Sequence, residues 1–267
     1  DHKSVDKQIH IFNKNDFSYL TSIGNFGEGP EEITVMGCLA IDEAHHQLYV
    51  SDHAKQKIFS YDMDSVMVDS LYKPQVKTAM NETLFPSEYQ YINDTLSIAV
   101  LIKPTSTSTF NQFLGRWNMN TGEMIPMKYT HPDIQKKRIT FAASEKAGIY
   151  VECYTRHDLM TICSLDGELL YNIYGPDWDG GNGNKLQSFG TVMIGNDKIF
   201  VSYCGEDYAR DSFPTKILVF DLEGNYLKTL ETGYKISDCC YDSFNNRIIL
   251  SLNDVVQFAY LDIDGII

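Results

Sequence analysis

Positive charge is scarce in this 267-residue chain, which has 22 Lys and Arg against 36 Asp and Glu and a formal net charge of −14 at pH 7. That balance argues against a nucleic acid or an anionic membrane surface as partner, since both bind to a basic face. No apolar run approaches the ~20 residues of a membrane-spanning helix, and no signal-like segment opens the chain. We therefore expect membrane contact only through an N-terminal lipid anchor absent from this sequence.

Signatures of common enzymes are missing as well. The sequence has no G-x-S-x-G nucleophile elbow and no H-E-x-x-H zinc motif. The Gly-Glu-Gly-Pro segment at residues 27–30 superficially resembles a phosphate-binding loop, but no Lys-Ser or Lys-Thr pair follows it. We predict no catalytic residue set.

The cysteines show no metal-site or redox-site spacing. There are six, with no C-x-x-C pair and no His at zinc-ligand spacing from any of them. The thiols expected to stay reduced are Cys38, Cys204, Cys239 and Cys240. The adjacent Cys239 and Cys240 are both expected to be buried. The sequence allows one disulfide, between Cys153 and Cys163, because these residues flank a predicted tight hairpin.

An internal repeat is what the sequence does contain. Five short β-branched and aromatic segments align without gaps, and their first apolar residues lie at positions 48, 96, 149, 199 and 248. The mean spacing is about 50 residues, and turn signals such as Asp166-Gly167 separate neighbouring strand-like segments. Four antiparallel strands in this length are typical of a propeller blade, which must stack on neighbours to bury both of its faces.

The repeat predicts an all-β fold, a six-bladed β-propeller that forms a single domain over residues 1–267. A partial repeat covers residues 1–24, and further repeats begin near residues 37, 88, 139, 190 and 235. We expect about 21 strands, so the terminal blades are incomplete. The fourth strand of the first complete blade is predicted at Val66–Lys73. The alternative fold, an irregular β-sandwich, does not require equal spacing.

One stretch of the chain resembles an NHL repeat, whose pattern is G-x-F-G-x-G-P, I-A-x-D, L-Y-V-x-D and a closing strand that ends in Asp. The matching segments are Gly24–Pro30, Leu39–Asp42, Leu48–Asp52 and Ile58–Asp62. The whole chain is similar to the TolB-like six-bladed β-propeller proteins of Gram-negative bacteria, many of them secreted lipoproteins. This resemblance implies a periplasmic or cell-surface location, as an outer-membrane lipoprotein, and carries over no catalytic residues.

Binding residues in a propeller collect on the loops that join second to third strands and on those that join blades. We expect long loops of this kind at residues 103–112, 175–184 and 204–215. The predicted ligand-binding residues are Arg156, His157, Trp178, Tyr208 and Arg210. A large aromatic side chain beside cations suits a sugar or a carboxylate-bearing ligand. The same cations would repel a divalent metal. We therefore predict neither a metal nor another cofactor.

Three clusters of charged or polar residues allow other interpretations. Arg156, His157 and Asp158 have the chemistry of an acid–base group, but a solvated turn is the expected structure. One loop offers oxygen ligands without the spacing of an EF-hand: Asp177, Asp179, Asn182 and Asn184. A second loop suits a cation or a charged substrate, although surface charges paired with one another are expected there: Glu206, Asp207, Arg210 and Asp211.

Two functions follow from these observations. The expected one is a non-catalytic extracytoplasmic binding or scaffolding propeller that recognises a glycan, peptide or protein through its top-face loops. The alternative is a propeller hydrolase, lactonase or lyase with a metal at the mouth of its channel. Carboxylates from three or more blades converging on the axis would favour the enzyme.

Overall fold

A computed structural model describes residues 1, 3–69, 71–183, 186–207 and 212–267. Their regular structure is β-strand apart from one short helix, and the 21 strands form antiparallel sheets. This is the number of strands that the repeat predicts. By compactness the chain divides into two units, Asp1–Met127 and Lys128–Ile267, called unit 1 and unit 2 below.

Three sheets make up the described part of unit 1. The first has two strands, β1 (Lys7–Phe12) and β2 (Tyr19–Asn25). The second contains β3 (Met36–Asp42), β4 (Gln47–Asp52), β5 (Lys57–Asp62) and β6 (Gln75–Ala79). The third contains β7 (Phe85–Asn93), β8 (Leu96–Pro104), β9 (Phe110–Trp117) and β10 (Met124–Pro126). Strands adjacent in sequence are adjacent in each sheet, as in a propeller blade.

Unit 2 repeats this plan. Its first sheet contains β11 (Ile139–Ser144), β12 (Ile149–Tyr154), β13 (Leu159–Ser164) and β14 (Leu169–Tyr174). Its second contains β15 (Leu186–Gly195), β16 (Lys198–Asp207), β17 (Lys216–Asp221) and β18 (Tyr226–Glu231). Its third contains β19 (Ile236–Asp242), β20 (Arg247–Leu252) and β21 (Phe258–Asp262). The first strands of neighbouring sheets contact each other, β11 with β15 and β15 with β19.

Stacked sheets bury apolar side chains on both of their faces, which explains why the middle strands are so apolar. Every residue of β12 is buried. In unit 2, Val151 and Ile162 of the first sheet share one core with Ile199 and Val201 of the second. Each such side chain contributes about 1.5–3 kcal/mol when it is fully buried. The core therefore lies between sheets, which leaves the connecting loops available for binding.

The fourth strand of the first complete blade does not lie at Val66–Lys73. Residues Met63–Val68 form the helix α1, and the fourth strand, β6, follows it. The helix begins because the Asp62 carboxylate accepts a hydrogen bond of 2.7 Å from the backbone N–H of Ser65. Val66 lies on its buried side. A local cap and one apolar contact thus outweigh the strand propensity of this segment.

The loop expected at residues 103–112 is shorter than predicted. β8 and β9 continue to pair as far as Pro104 and Phe110, so only residues 105–109 form the connection. The backbone N–H of Thr105 closes it with a bond of 2.9 Å to the carbonyl of Thr109. Five residues leave little surface for recognition in this loop.

All six cysteines, which lie within the described residues, are thiols. Cys153 is paired in the ladder with Met160, and Cys163 with Tyr150. Three ladder steps therefore separate the two cysteines, about 10 Å along the strands, which is too far for a disulfide. The prediction that Cys239 and Cys240 are both buried is wrong for Cys240, which is exposed. Adjacent residues of a strand point to opposite faces, and β19 is at the edge of its sheet.

Candidate functional site

Three loops of unit 2 meet around a cavity of about 730 Å³. They are the segment before β11, the turn from β12 to β13, and the connection from β14 to β15. This cavity is called the first cavity below. Its lining residues are Asp133, Gln135, Lys136, Arg138, Thr155, Arg156, His157, Gly180, Gly181, Asn182 and Gly183. Two of the three loops are of the kinds that the sequence predicts to carry binding residues.

Backbone contacts hold these loops together. The N–H of Thr155 donates to the carbonyl of Arg138 over 3.0 Å, which continues the pairing of β11 with β12. The N–H of Gly175 donates to the carbonyl of Asp158 over 2.8 Å. A Cβ on Gly175 would lie 2.1 Å from the Asp158 carboxylate, so only glycine allows this approach. The β14–β15 connection therefore starts against the turn that carries Arg156 and His157.

His157 is the most unusual group in the first cavity, because it is only 6% exposed and its Nδ1 atom has no hydrogen-bond partner. The nearest carboxylate oxygen, on Asp179, lies 3.9 Å from Nδ1, beyond hydrogen-bonding range. Burial lowers the pKa of His157, and Asp179 opposes that shift. Burial therefore favours the neutral form of the ring. Leaving a buried polar atom unpaired costs about 1–3 kcal/mol, which marks this position as one that stability alone does not favour.

Trp178 supports the cavity from behind. Its ring centroid lies 5.0 Å from that of Tyr174, 5.4 Å from that of His131 and 6.1 Å from that of His157. His131 is also fixed by a hydrogen bond of 3.1 Å between its Nε2 and the Tyr174 hydroxyl. Trp178 is half-buried in this cluster and is not among the lining residues. Trp178 therefore packs beside the His157 ring and does not line the cavity.

The structure brings together two of the five predicted ligand-binding residues. Arg156, which is exposed, and His157 both line the first cavity. Trp178 packs against the His157 ring, whereas Tyr208 and Arg210 lie outside the described residues. Arg210 and Asp211 of the alternative charged cluster lie outside them too.

The turn at residues 156–158 is not the solvated turn that the sequence predicts. His157 and Asp158 are both buried, because the β14–β15 connection covers them. Asp158 does not accept a hydrogen bond from Nδ1 of His157, which has no partner. Its carboxylate accepts one of 3.0 Å from the N–H of Asp177. Burial raises the pKa of Asp158. These contacts place Asp158 in loop anchoring and not in an acid–base pair with His157.

Sequence reasoning missed the cations in the segment before β11. Lys136 and Arg138 line the cavity, whereas the intervening Lys137 turns inward and is buried. The Lys137 ammonium lies 2.6 Å from the Glu152 carboxylate, which also accepts a bond of 3.2 Å from the Tyr154 hydroxyl. Residues 136–138 are the one run of three consecutive cations in this acidic chain. This run is the sequence feature from which the two cations could have been predicted.

No group of three or more His, Cys, Asp and Glu side chains within the described ranges is arranged to hold a metal ion. In the loop considered for calcium, the Asn182 side-chain amide donates to the carbonyl of Asp179 over 2.7 Å. Asn184, the last member of that set, lies outside the described residues. No described helix is long and apolar enough to cross a membrane.

Comparison with known proteins identifies relatives of this fold. Residues 2–116 match the family DUF5128, described as a 6-bladed beta-propeller. No curated protein matches the chain. A protein of unknown function from Bacteroides caccae is structurally similar, with a TM-score of 0.56 and 12% identity over 97% of this chain and 87% of that one. A member of the DUF4221 family from Bacteroides vulgatus gives a TM-score of 0.61 and 10% identity over 95% and 86% of the two chains.

A third solved structure is the extracellular domain of a protein described as a one-component system from B. thetaiotaomicron. Its TM-score is 0.53 and its identity 14%, over 84% of this chain but only 27% of that chain. Identities this low establish the fold and nothing further. The fold is an all-β propeller with four-stranded antiparallel blades, similar to Bacteroides propeller proteins of unknown function.

Proposed function

We propose that this chain is a non-catalytic extracytoplasmic binding propeller, and that its glycan, peptide or protein ligand places an anionic group in the first cavity. One observation carries the proposal: three cations, Lys136, Arg138 and Arg156, line the cavity with one carboxylate, Asp133, in a chain of net charge −14. Charge-assisted hydrogen bonds from Lys and Arg are the strong contacts that a carboxylate or sulfate forms. The buried His157 offers a further polar atom.

The proposed roles differ from residue to residue. Arg156 and His157 contact the ligand, and Trp178 holds the His157 ring in place. Tyr208 and Arg210, on the β16–β17 connection, are proposed as further members of the site from sequence alone. The proposal includes no metal and no other cofactor.

Several finer expectations belong to the proposal. They are a periplasmic or cell-surface location with a lipid anchor, closer kinship with NHL and TolB-like propellers, and six blades in one domain over residues 1–267. The extracellular placement of one structural relative supports the location. The family description supports the blade number. A single unfolding transition, followed in urea by fluorescence and by circular dichroism, would support one domain.

Calorimetric titration tests the binding site. A uronic-acid oligosaccharide and an acidic peptide are each compared with a neutral counterpart of the same length. At least one acidic probe is expected to bind, and Arg156→Ala is expected to weaken its binding about tenfold, the loss of one charge-assisted contact. Lys146→Ala removes an exposed Lys that does not line the cavity and is the matched control. Equal binding of acidic and neutral probes would overturn the proposal.

The enzyme alternative has its own test. A propeller hydrolase, lactonase or lyase with a channel-mouth metal would turn over an ester, lactone or glycan probe, and a chelator would abolish the turnover. Binding without turnover in the presence of added divalent cations is the expected result.

A further inference from the structure

A second cavity of about 550 Å³ adjoins the first one in unit 2, and it is chemically different. Hydroxyl groups line it from Thr140, Thr191 and Ser202, and amide groups from Gln187 and Asn253. The aromatic residues Phe189 and Phe213 add apolar surface to this lining. Among the described residues that line it, none has an ionisable side chain.

Thr155 belongs to both cavities, which makes them neighbours in one continuous surface. On one side its N–H donates to the carbonyl of Arg138, whose side chain lines the first cavity. On the other side its carbonyl accepts a hydrogen bond of 2.9 Å from the N–H of Ser188, next to Gln187 of the second cavity. The strands β11, β12 and β15 hold these contacts, so the two cavities are fixed relative to each other.

Close packing at Gly190 and hydrogen bonds to hydroxyl groups fix the wall of the second cavity. A Cβ on Gly190 would lie 2.5 Å from the Ser202 hydroxyl and 3.2 Å from a ring carbon of Pro214. Any larger residue would therefore displace the wall at this position. The Thr140 hydroxyl is fixed by a bond of 2.6 Å to the Gly190 carbonyl, and the Thr191 hydroxyl by one of 2.7 Å to Asp238. Fixed hydroxyls and amides can discriminate between ligand orientations.

We propose, building on the anion-binding function above, that the ligand is an oligosaccharide with an acidic sugar joined to a neutral sugar. The acidic sugar lies in the first cavity, against Lys136, Arg138 and Arg156. The neutral sugar lies in the second cavity, where amides and hydroxyls bond its hydroxyl groups. An aromatic ring packs on the apolar face of its pyranose. An uncharged, hydroxyl-rich lining fits a sugar ring better than it fits the charged side chains of an acidic peptide.

Titration of wild-type protein with three probes separates the two proposals. The probes are a uronic acid alone, the same uronic acid linked to a neutral hexose, and the neutral hexose alone. The linked disaccharide is expected to bind about tenfold more tightly than the uronic acid, because it adds contacts in the second cavity. The neutral hexose alone is expected to bind weakest.

Asn253→Ala is expected to remove the advantage of the disaccharide and to leave binding of the uronic acid unchanged. Arg156→Ala is expected to weaken both. Asn120→Ala changes an exposed turn residue of unit 1 and is the matched control. If the uronic acid binds but the neutral extension adds nothing, the oligosaccharide inference fails and the proposed function survives. If no acidic sugar binds but an acidic peptide does, only the oligosaccharide inference fails. If no acidic probe binds, the proposed function fails.

Discussion

Two glycine-rich loops of this protein differ in whether the polar groups beside them have hydrogen-bond partners within the chain. The loop at residues 27–32, in unit 1, encloses its own cation. The Lys55 ammonium donates to the carbonyls of Gly27, Gly29 and Glu32 over 3.2, 2.8 and 2.5 Å. It also lies 3.6 Å from the fully buried carboxylate of Asp52. The carbonyls of Gly27, Gly29 and Glu32 therefore have a donor from within the chain.

The connection at residues 175–183, in unit 2, leaves polar groups unsatisfied. The Nδ1 atom of His157 and the Oδ1 atom of Asp179 are both buried without a hydrogen bond, and they lie 3.9 Å apart. The cavity beside them is lined by Lys136, Arg138 and Arg156, which come from two separate loops. The carbonyls of the first loop have internal donors, whereas two buried polar atoms at the second loop have no partner. This difference supports the binding role proposed for the second loop.

Removing the internal cation should give the largest effect. Lys55→Met removes one donor from each of three carbonyls, of which Gly27 keeps the Thr34 hydroxyl and Gly29 keeps the N–H of Glu32. It also leaves Asp52 without its nearest cation, so the free energy of unfolding is expected to fall by about 3 kcal/mol. Urea unfolding measures the change. Lys73→Met is the control, because Lys73 forms an exposed pair of 2.7 Å with Glu31 of the same loop. Its loss should cost less than about 1 kcal/mol. Equal costs for the two variants would contradict an enclosed cation.

Adjacent glycines in the binding loop should respond unequally to alanine. Gly180 and Gly181 both have positive φ, +73° and +84°, which costs an L-residue about 1 kcal/mol. A Cβ on Gly181 would also lie 2.5 Å from the backbone oxygen of Asp133, whereas one on Gly180 meets nothing within 4 Å. We expect Gly181→Ala to cost about 2–3 kcal/mol and to weaken acidic-ligand binding. Gly180→Ala should cost about 1 kcal/mol and leave binding intact. Identical stabilities by urea unfolding would show that the loop is not held against Asp133.

Removing the unsatisfied histidine should raise stability. His157→Leu replaces an unpaired buried group with an apolar one, so the free energy of unfolding is expected to rise by up to about 1 kcal/mol while ligand affinity falls. His131→Leu is the matched control, since His131 is buried and bonded to the Tyr174 hydroxyl. That variant should be destabilised. Destabilisation of both variants to the same degree would mean that His157 has a structural role.

The smallest expected effect is a pH dependence of stability. Burial lowers the pKa of His157, and also those of His131 and His53, below the ordinary value of 6.5. The unfolded chain therefore binds protons more readily than the folded one just below pH 6.5, and stability is lost as the pH falls through this window. The pKa of Asp158 is raised above its ordinary value of 3.8, so the folded chain binds this proton more readily than the unfolded one. Asp158 therefore has the opposite effect on stability, and it does so at more acidic pH.

Urea midpoints at pH 7.5 and pH 5.5 measure this change in the wild type and in His157→Leu. The wild type should lose more stability than the variant on acidification. An unchanged difference between the two pH values would show that His157 titrates alike in the folded and unfolded chains.

Strand positions were largely predictable because they depend on local alternation and on turn residues. The five repeat segments with first apolar residues at positions 48, 96, 149, 199 and 248 are confirmed as strands, namely β4, β8, β12, β16 and β20. The helix at Met63–Val68 was missed, because its cap forms between Asp62 and Ser65 and competes with a strand of similar propensity. Exposure of Cys240 was missed because it depends on what packs against each face of its sheet, and only the face of Cys239 belongs to the core.

The candidate site was predictable only in part. Arg156 and His157 could be named because they follow a strand at a connection where binding residues collect. Lys136 and Arg138 could not be assigned to the same cavity, because pairing of β11 with β12 brings them there from a different segment. The second cavity had no sequence signal, since its hydroxyl and amide residues come from several separate strands and loops.

The sequence by itself determined the repeat, the strands and the acidic charge, because alternation, turn residues and composition are properties of short segments. Only the tertiary structure decided that Lys137 turns inward to Glu152 while its neighbours line a cavity. It also decided that Lys55 is enclosed by carbonyls and that His157 is buried without a partner. Burial and pairing depend on which distant segments come into contact, and contacts of that kind form only when the sheets stack.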